Sequence, residues 1–318
     1  MISRQAVVSV ARQSGIFLTF LVLCLVMAIL SERFFTFPNI VNILRQSSIN
    51  GIIAVGMTLV ILTAGIDLSV GSVLALSAVM TAQLLVGGVA PIIASLSGLI
   101  IGAAFGLFSG VLMAVFLLPP FIATLGTMTL ARGLALSFTQ GRPITGLPES
   151  FRVLGTALMG PIPAPVIVLL LVFLLGVVFL RLTTHGARLQ ALGDNHTAAR
   201  FTGIPVKVYI SMVYCVSGAL AALAGQILIG RLDSAQPTMG VGYEFDAIAA
   251  VVIGGTSFSG GSGGLGGTIV GVLIITVINN GLNLLNVPSF WGQVVKGIVI
   301  VLALLLNNVS KLEKGNQR

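Results

Sequence analysis

Long apolar runs, broken by short stretches rich in glycine or proline, set the pattern of this chain. No Asp, Glu, Lys or Arg occurs in 13–31, 46–66, 68–131, 153–180, 208–230 or 247–295. An α-helix crosses a bilayer with about 20 apolar residues, so the pattern predicts many spanning helices, about three of them in 68–131 alone.

The runs and their breaks place about ten predicted spans along the chain. These lie at about 15–31, 49–64, a third that ends near 85, 92–117, 121–138, 166–181, 208–230, 245–257, 265–285 and 291–308. The aromatic, amphipathic stretch 31–48 suits the membrane interface. The Pro- and Gly-rich stretch 140–165 predicts an exposed loop with room for one short helix.

Composition supports the membrane class. The chain has 318 residues, of which 56% are hydrophobic and 8% charged, and its mean hydropathy is +1.11. Soluble domains carry roughly 25% charged residues, which excludes that class. We therefore predict an all-α polytopic membrane protein with one domain over 1–318. Its possible repeat halves are about 1–180 and 208–310, joined by the loop 181–207. The first apolar run resembles a secretory signal but lacks a convincing cleavage site, so we interpret it as an uncleaved helix.

The basic excess predicts an orientation. There are 16 Lys and Arg against 8 Asp and Glu, which in a membrane chain indicates the positive-inside bias and not nucleic-acid binding. With the N-terminus inside, the inner segments hold Arg4, Arg12, Arg181, Arg188, Arg200, Lys207, Lys311, Lys314 and Arg318, against Arg33, Arg45, Arg142, Arg152 and Arg231 outside. Both termini and the loop 181–207 are therefore predicted to be cytoplasmic.

The loop 181–207 interrupts the two apolar halves and holds both histidines of the chain. It predicts a short helix, with Asp194 or Asn195 as N-cap, Gly203 closing it in the left-handed conformation and Pro205 ending it. A helix of about two turns is unstable alone in water, so it should pack on this chain or on a partner.

Glycine-interrupted apolar segments occur once in each half. Offset by 196 residues, 52–76 aligns without gaps to 248–272, pairing Gly65 with Gly261 and Gly71 with Gly267. Breaks at corresponding positions, including Gly254 and Gly255 in the second, point to a transporter's working centre. Close helix packing is the alternative role for these glycines.

Two carboxylates lie beside these breaks. A carboxylate at membrane depth costs about 2.5 to 3.5 kcal/mol, so Asp67 should face protein or water. We expect it to cap the following helix more readily than to transfer protons, and Asp246 to cap the eighth segment in the same way.

Polar side chains at helical spacing form two further groups within the predicted spans. These are Thr276, Asn279, Asn280 and Asn283 on the ninth span, and Thr124, Thr127 and Thr129 on the fifth. They suit a path for a polyhydroxylated solute, or interhelical hydrogen bonds.

Enzyme chemistry finds no support in the sequence. The glycine run 254–267 is followed by no G-K-[ST], and no Lys or acidic residue lies near it to reach a nucleotide. His185 and His196 are too isolated to suggest a metal site, and Cys24 and Cys215 lie within apolar runs as small hydrophobic residues.

Several long segments resemble the membrane permeases of bacterial monosaccharide ABC importers, nearest to those for ribose. They are GMTLVILTAGIDLSVGSVLAL, PPFIATLGTMTLARGL, LQALGDNHTAARFTGI, RLDSAQPTMGVGYEFDAIAAVVIGGTSFSGG and NNGLNLLNVPSF. The resemblance covers about 34–308 and implies about ten spans per subunit, in a fold like that of vitamin B12-type importer permeases.

The resemblance also implies partners. They are a second permease copy, a cytoplasmic ATPase with two nucleotide-binding domains that holds ATP and Mg, and a periplasmic sugar-binding protein. Asp194, Asn195, Ala198, Ala199, Arg200 and Gly203 match the helix that couples such permeases to the ATPase. The outer arginines Arg33, Arg45, Arg142, Arg152 and Arg231 are candidates for docking the binding protein. The alternatives are a branched-chain amino acid ABC permease and a stand-alone secondary transporter or channel.

Overall fold

The computed structural model describes residues 4–288, 291–295, 297, 298 and 301, with side chains described from residue 15 onward. Its helices are α1 (Arg4–Leu30), α2 (Phe37–Leu62), α3 (Val70–Val86), α4 (Pro91–Ala114), α5 (Pro120–Thr139), α6 (Glu149–Thr156), α7 (Ala164–Leu182), α8 (Thr184–Asp194), α9 (His196–Phe201), α10 (Val206–Leu232), α11 (Tyr243–Ile253) and α12 (Leu265–Leu284). Its strands are β1 (Ile144–Thr145), β2 (Leu158–Met159), β3 (Ile162–Pro163) and β4 (Ser234–Ala235), paired antiparallel as β1–β4 and β2–β3.

Within the described residues, 6 helices are long and apolar enough to span a membrane: α2, α4, α5, α7, α10 and α12. The apolar part of α1 (Gly15–Leu30) and α3 are shorter. The chain is therefore a mostly helical, multi-pass membrane protein. The tenth predicted span, 291–308, lies largely outside the described residues.

Two predicted spans were wrong in their extent. The eighth, 245–257, is the helix α11, whose 11 residues extend only about 16 Å against a hydrocarbon core of about 30 Å. The second span and the interfacial stretch before it form one helix, α2. Polar residues such as Asn39 and Ser48 interrupt the apolar pattern there, but Asn39 bonds to Asn280 and Ser48 bonds to Leu44 O, so the helix continues.

Contacts between helix ends define two faces of the protein. At one face, which we call the α6 face, Arg45 Nη2 of α2 donates to Thr156 O at the end of α6 (2.8 Å), and Arg231 Nη2 of α10 donates to Asn42 Oδ1 (2.6 Å). At the opposite face, the α9 face, the end of α2 meets α8, α9 and the stretch 254–264.

Helix α10 is the central element, packed against α2, α3 and α4. On α4 a glycine occurs at every fourth position, Gly98, Gly102, Gly106 and Gly110, and these positions lie against α10. A Cβ at Gly106 would overlap Tyr214 O, and a Cβ at Gly110 would come within 2.7 Å of Ser211 Cα. Small residues allow this close approach of backbones within a membrane.

Candidate functional site

The first break, residues 63–69, connects α2 to α3 inside the helix bundle. Helix α2 ends at Leu62, Ala64 adopts a left-handed conformation (φ 58°), and Asp67 is fully buried. Asp67 Oδ1 accepts from the backbone N–H of Ser69 (3.0 Å) and from its hydroxyl (2.6 Å), while Oδ2 accepts from Ser217 Oγ on α10 (2.8 Å). The carboxylate therefore closes the turn and ties it to α10.

This arrangement corrects the expected cap. Ser69 is the N-cap residue of α3, and Asp67 lies two residues before it, so its carboxylate bonds to the cap residue itself. Gly65 lies against the Tyr214 hydroxyl, which donates to Ile66 O (3.1 Å). These contacts hold the turn in place, but Asp67 does not cap α3.

The loop before α11 enters the bundle and meets the start of α3. A Cβ at Gly71 would overlap Gly240 O, and Gly240 adopts φ 75°. Arg132 on α5 donates through Nη1 to Pro237 O (2.6 Å) and Met239 O (2.8 Å). Arg132, which the sequence only placed inside a span, holds this loop where Gly71 and Gly240 cross.

The second break, residues 254–264, connects α11 to α12 through a close crossing of backbones, with Thr256 Oγ1 accepting from Gly264 N (3.4 Å). Gly254 is the C-cap of α11 and Gly255 has φ 90°. A Cβ at Gly267 would overlap Gly254 O. The aligned glycines Gly71 and Gly267 thus have the same role, since each stands near a helix start where another glycine backbone crosses. The repeat of the two halves stays a prediction.

The two breaks touch each other and the loop between the halves. Gly261 N donates to Leu62 O (3.0 Å). Gly193, near the end of α8, lies against both atoms and leaves no space for a Cβ. His196 Nε2 lies 3.1 Å from Thr63 O. The α8–α9 corner therefore contacts both breaks directly.

The charged loop contains two helices, where one was predicted. Asp194 ends α8, and Asn195 Oδ1 caps α9 by accepting from Thr197 N (2.9 Å) and Ala198 N (3.0 Å). Gly203 follows α9 with φ 81°. Asn195 as cap and Gly203 as left-handed terminator were predicted correctly. Helix α8 was missed, although its buried Leu189 and Leu192 have helical spacing.

One of the residues predicted for the coupling contact is not accessible on α9. Ala199 is only 3% exposed and packs into this chain, so it cannot meet a partner. Ala198, Arg200 and Gly203 are exposed. Phe201, which the sequence did not single out, is 86% exposed.

The histidines of the loop, for which the sequence suggested no metal site, connect the corner to neighbouring helices. His185 Nδ1 lies 2.8 Å from the hydroxyl of Tyr209 on α10, and its ring stacks on Phe179 of α7. With the contact of His196 to Thr63, each histidine joins the loop to a different helix. Among the described residues, no group of three or more His, Cys, Asp or Glu side chains could hold a metal ion.

A cavity of about 880 Å³ opens between α2, α10, α11 and α12 toward the α6 face. We call it the α11 cavity. Its polar lining includes Gln46, Asn50, Arg231, Asp246, Asn279 and Asn283.

Asp246 does not cap α11, although the sequence predicted that it would. The N-cap is Gly242, whose N–H donates to Glu244 Oε1. Asp246 lies one turn further along, where Asn279 Nδ2 donates to its Oδ2 (3.3 Å).

The polar residues predicted to line a path divide into two groups. Asn279 and Asn283 line the α11 cavity. Asn280 instead exchanges two amide hydrogen bonds with Asn39 of α2. Thr124 and Thr127 are fully buried, with hydroxyls bonded to their own helix and, for Thr127, to Ser109 of α4 (2.8 Å). Asn280 and Thr127 therefore join helices, whereas Thr124 bonds only within α5. None of the three lines a cavity described here.

The predicted docking arginines also divide into two groups. Arg45 and Arg231 are engaged within the chain at the α6 face, and Arg152 forms an ion pair with Asp233 (3.3 Å). Arg33 and Arg142 are exposed at the same face. Arg152 stays partly exposed within its ion pair.

Comparison with known proteins identifies the family of the chain. Residues 39–304 match the family described as "Branched-chain amino acid transport system / permease component". The match extends over most of the chain, so the protein belongs to this permease family.

Three individual proteins are similar to the chain over most of its length. The chain is 51% identical over 300 residues to ribose import permease protein RbsC of Bacillus subtilis (strain 168), which covers 94% of this chain and 93% of that protein. It is 48% identical over 292 residues to RbsC of Escherichia coli (strain K12), with 91% of each covered. D-allose transport system permease protein AlsC of E. coli (strain K12) is 41% identical over 299 residues, with 92% and 91% covered. No solved structure matches the chain.

Proposed function

We propose that this chain is the permease subunit of an ATP-driven, binding-protein-dependent importer of ribose in the bacterial inner membrane. The observation that carries the proposal is 48 to 51% identity to ribose import permeases over more than 90% of both chains. The α11 cavity supports it, because its amide and carboxylate side chains can hydrogen-bond to a neutral, hydroxyl-rich solute.

The protein would work as two copies of about ten spans each, in a fold like that of vitamin B12-type importer permeases. The α9 face would lie in the cytoplasm with both termini, since the ten-span prediction assigns nine Lys and Arg residues to that side, termini included, and five to the other. The α6 face meets the periplasmic sugar-binding protein, with Arg33 and Arg142 available to its acidic groups.

Helix α9 is the contact for a cytoplasmic ATPase, which would carry ATP and Mg. Asn195 preorganises the helix, Phe201 projects from it, and Gly193 connects the corner to both breaks. A movement of α9 would reach Thr63 through His196, and would reach Leu62 and Gly261 through the adjoining Gly193 of α8.

Reconstitution tests the function. The permease, its ATPase and its binding protein should together move labelled ribose into proteoliposomes only with ATP. The family description favours a second candidate, a branched-chain amino acid permease, and it predicts leucine uptake with the cognate binding protein. Ribose uptake without ATPase or binding protein would instead indicate a secondary transporter.

Substitution tests the contact at α9. Ala198→Trp should abolish most ATP-driven uptake, since a large side chain would prevent a close approach, and Phe201→Ala should weaken ATPase binding by about 1 to 3 kcal/mol if Phe201 fills a pocket. Ala187→Trp, at an exposed alanine of α8, is the matched control. Normal ATP-driven uptake by Ala198→Trp and Phe201→Ala would contradict the coupling role of α9.

A further inference from the structure

Residues of different helices meet in the α11 cavity around one carboxylate. Asp246 is 3% exposed, and its Oδ2 accepts from Asn279 Nδ2. Asn50 of α2 lines the same cavity. A carboxylate offers acceptors only, whereas each amide offers both donors and an acceptor. Together they match neighbouring hydroxyls of a sugar, each of which donates and accepts.

Aromatic side chains complete the chemistry of the cavity. Tyr243 and Phe245 contribute to its lining on the N-terminal turn of α11. A pyranose or furanose ring has an apolar face of C–H groups between its hydroxyls. Mostly apolar walls with a few placed polar groups are the usual form of a small-molecule site.

The charges in the cavity favour a neutral solute over an amino acid. Arg231 is the cation in the described lining, and its Nη2 is engaged by Asn42 Oδ1 at 2.6 Å. A zwitterion needs a cation for its carboxylate, and a buried charge without such a partner is strongly disfavoured. A neutral polyol needs hydrogen bonds alone.

A polar stripe leads from the cavity along α12 toward the α9 face. Asn283, Asn279 and Thr276 follow one another at intervals of four and three residues, which places them on one side of the helix. The Thr276 hydroxyl is fully buried and has no hydrogen-bond partner among the described residues. Such a group costs folding free energy and calls for an explanation.

We propose that the α11 cavity is a sugar-binding station within the membrane, where Asp246 and Asn279 bind neighbouring hydroxyls and Thr276 is the next contact toward the cytoplasm. The inference rests on the proposed function, since it takes ribose as the solute. It explains the Thr276 hydroxyl as a group that finds its partner only when sugar passes.

The test uses the complete importer in proteoliposomes, with labelled ribose uptake and binding-protein-stimulated ATP hydrolysis measured on the same preparations. Asp246→Asn and Asn279→Leu should each slow ribose uptake about tenfold or more, the effect of removing hydrogen bonds to a bound solute, while ATP hydrolysis stays within about twofold. Thr129→Val is the control, because its exposed hydroxyl bonds to Leu125 O of its own helix. It should leave uptake unchanged.

Thr276→Val separates transport from folding. Removal of an unpartnered buried hydroxyl should raise the melting temperature, yet slow uptake several-fold if sugar uses that hydroxyl. A variant that is both more stable and fully active would overturn the role of Thr276.

The outcomes for the cavity and for the function are distinct. Wild-type importer that moves no ribose would overturn the proposed function and with it this inference. Wild-type importer that moves ribose, with Asp246→Asn and Asn279→Leu within about twofold of it, would overturn the sugar station alone. If Asp246→Asn does not fold, Asn279→Leu and Thr276→Val decide.

Discussion

The two breaks that interrupt the helices are in contact, but different physical interactions hold them. The first break is held by side chains, because Asp67 bonds to Ser69 and to Ser217 on another helix. At the second break the closest contact is between backbones, because Gly254 and Gly267 approach too closely for any side chain between them, and the bond from Gly264 N to Thr256 Oγ1 is long (3.4 Å). Two helix breaks at aligned positions are therefore held by different kinds of interaction.

The difference bears on how each break can move. A hydrogen-bonded turn can exchange partners at modest cost, whereas a crossing of two glycine backbones depends on shape alone. Contact between Leu62 O and Gly261 N joins the two, and the α8–α9 corner lies against that contact.

The largest effect should come from filling the backbone crossing. Gly267→Ala places a Cβ against Gly254 O, and neither backbone can move cheaply, so the free energy of unfolding should fall by about 2 to 3 kcal/mol. Thermal unfolding in detergent measures it. Gly266→Ala is the matched control, since nothing lies within 4 Å of a Cβ there. Equal stability of the two variants would contradict a shape-based second break.

An intermediate effect should come from removing the carboxylate of the first break. Asp67→Ala leaves the Ser69 N–H and two buried hydroxyls without their acceptor, so unfolding free energy should fall by about 2 kcal/mol or more. Asp67→Asn keeps one oxygen acceptor and should cost about 1 kcal/mol. Denaturation in the same detergent ranks the variants. Ser262→Ala, at an exposed serine of the second break, should change little. If it costs as much as Asp67→Ala, the distinction between the breaks is wrong.

The smallest effect should come from the single bond between the first break and α10. Ser217→Ala removes the 2.8 Å bond to Asp67 Oδ2 and should cost about 1 kcal/mol. Ser97→Ala, whose exposed hydroxyl bonds to Ile93 O of its own helix, is the control. A double-mutant cycle with Asp67→Asn should show that the two costs are not additive. Additive costs would mean that the bond contributes nothing.

Several features of the site could be predicted from local chemistry. Asn195 caps α9 and Gly203 terminates it, because capping depends on residues a few positions apart. The glycine at every fourth position of α4 was an equally local signal of close packing, and it was overlooked. Helix α8 was missed because most of its residues are polar, and only the spacing of Leu189 and Leu192 indicates a helix.

Other predictions failed because one residue type serves several roles. A threonine in a membrane helix can bond to a solute, to another helix or to its own backbone, and Thr124 does the last. Adjacent asparagines of α12 diverge in the same way, since Asn279 faces the α11 cavity and Asn280 faces Asn39. Adjacent residues of a helix point in different directions. On which side of the helix the cavity lies depends on how the neighbouring helices pack.

The sequence alone determined the membrane class, most helices and the cap of α9, because hydrophobicity and capping act over a few to about 20 residues. Tertiary structure alone decided which polar groups meet. Asp67 and Ser217 are 150 residues apart, and Asn39 and Asn280 are 241 apart. A buried polar group must find a partner, but the sequence does not name it. Only the packing of α2, α10, α11 and α12 brings those partners within hydrogen-bond distance.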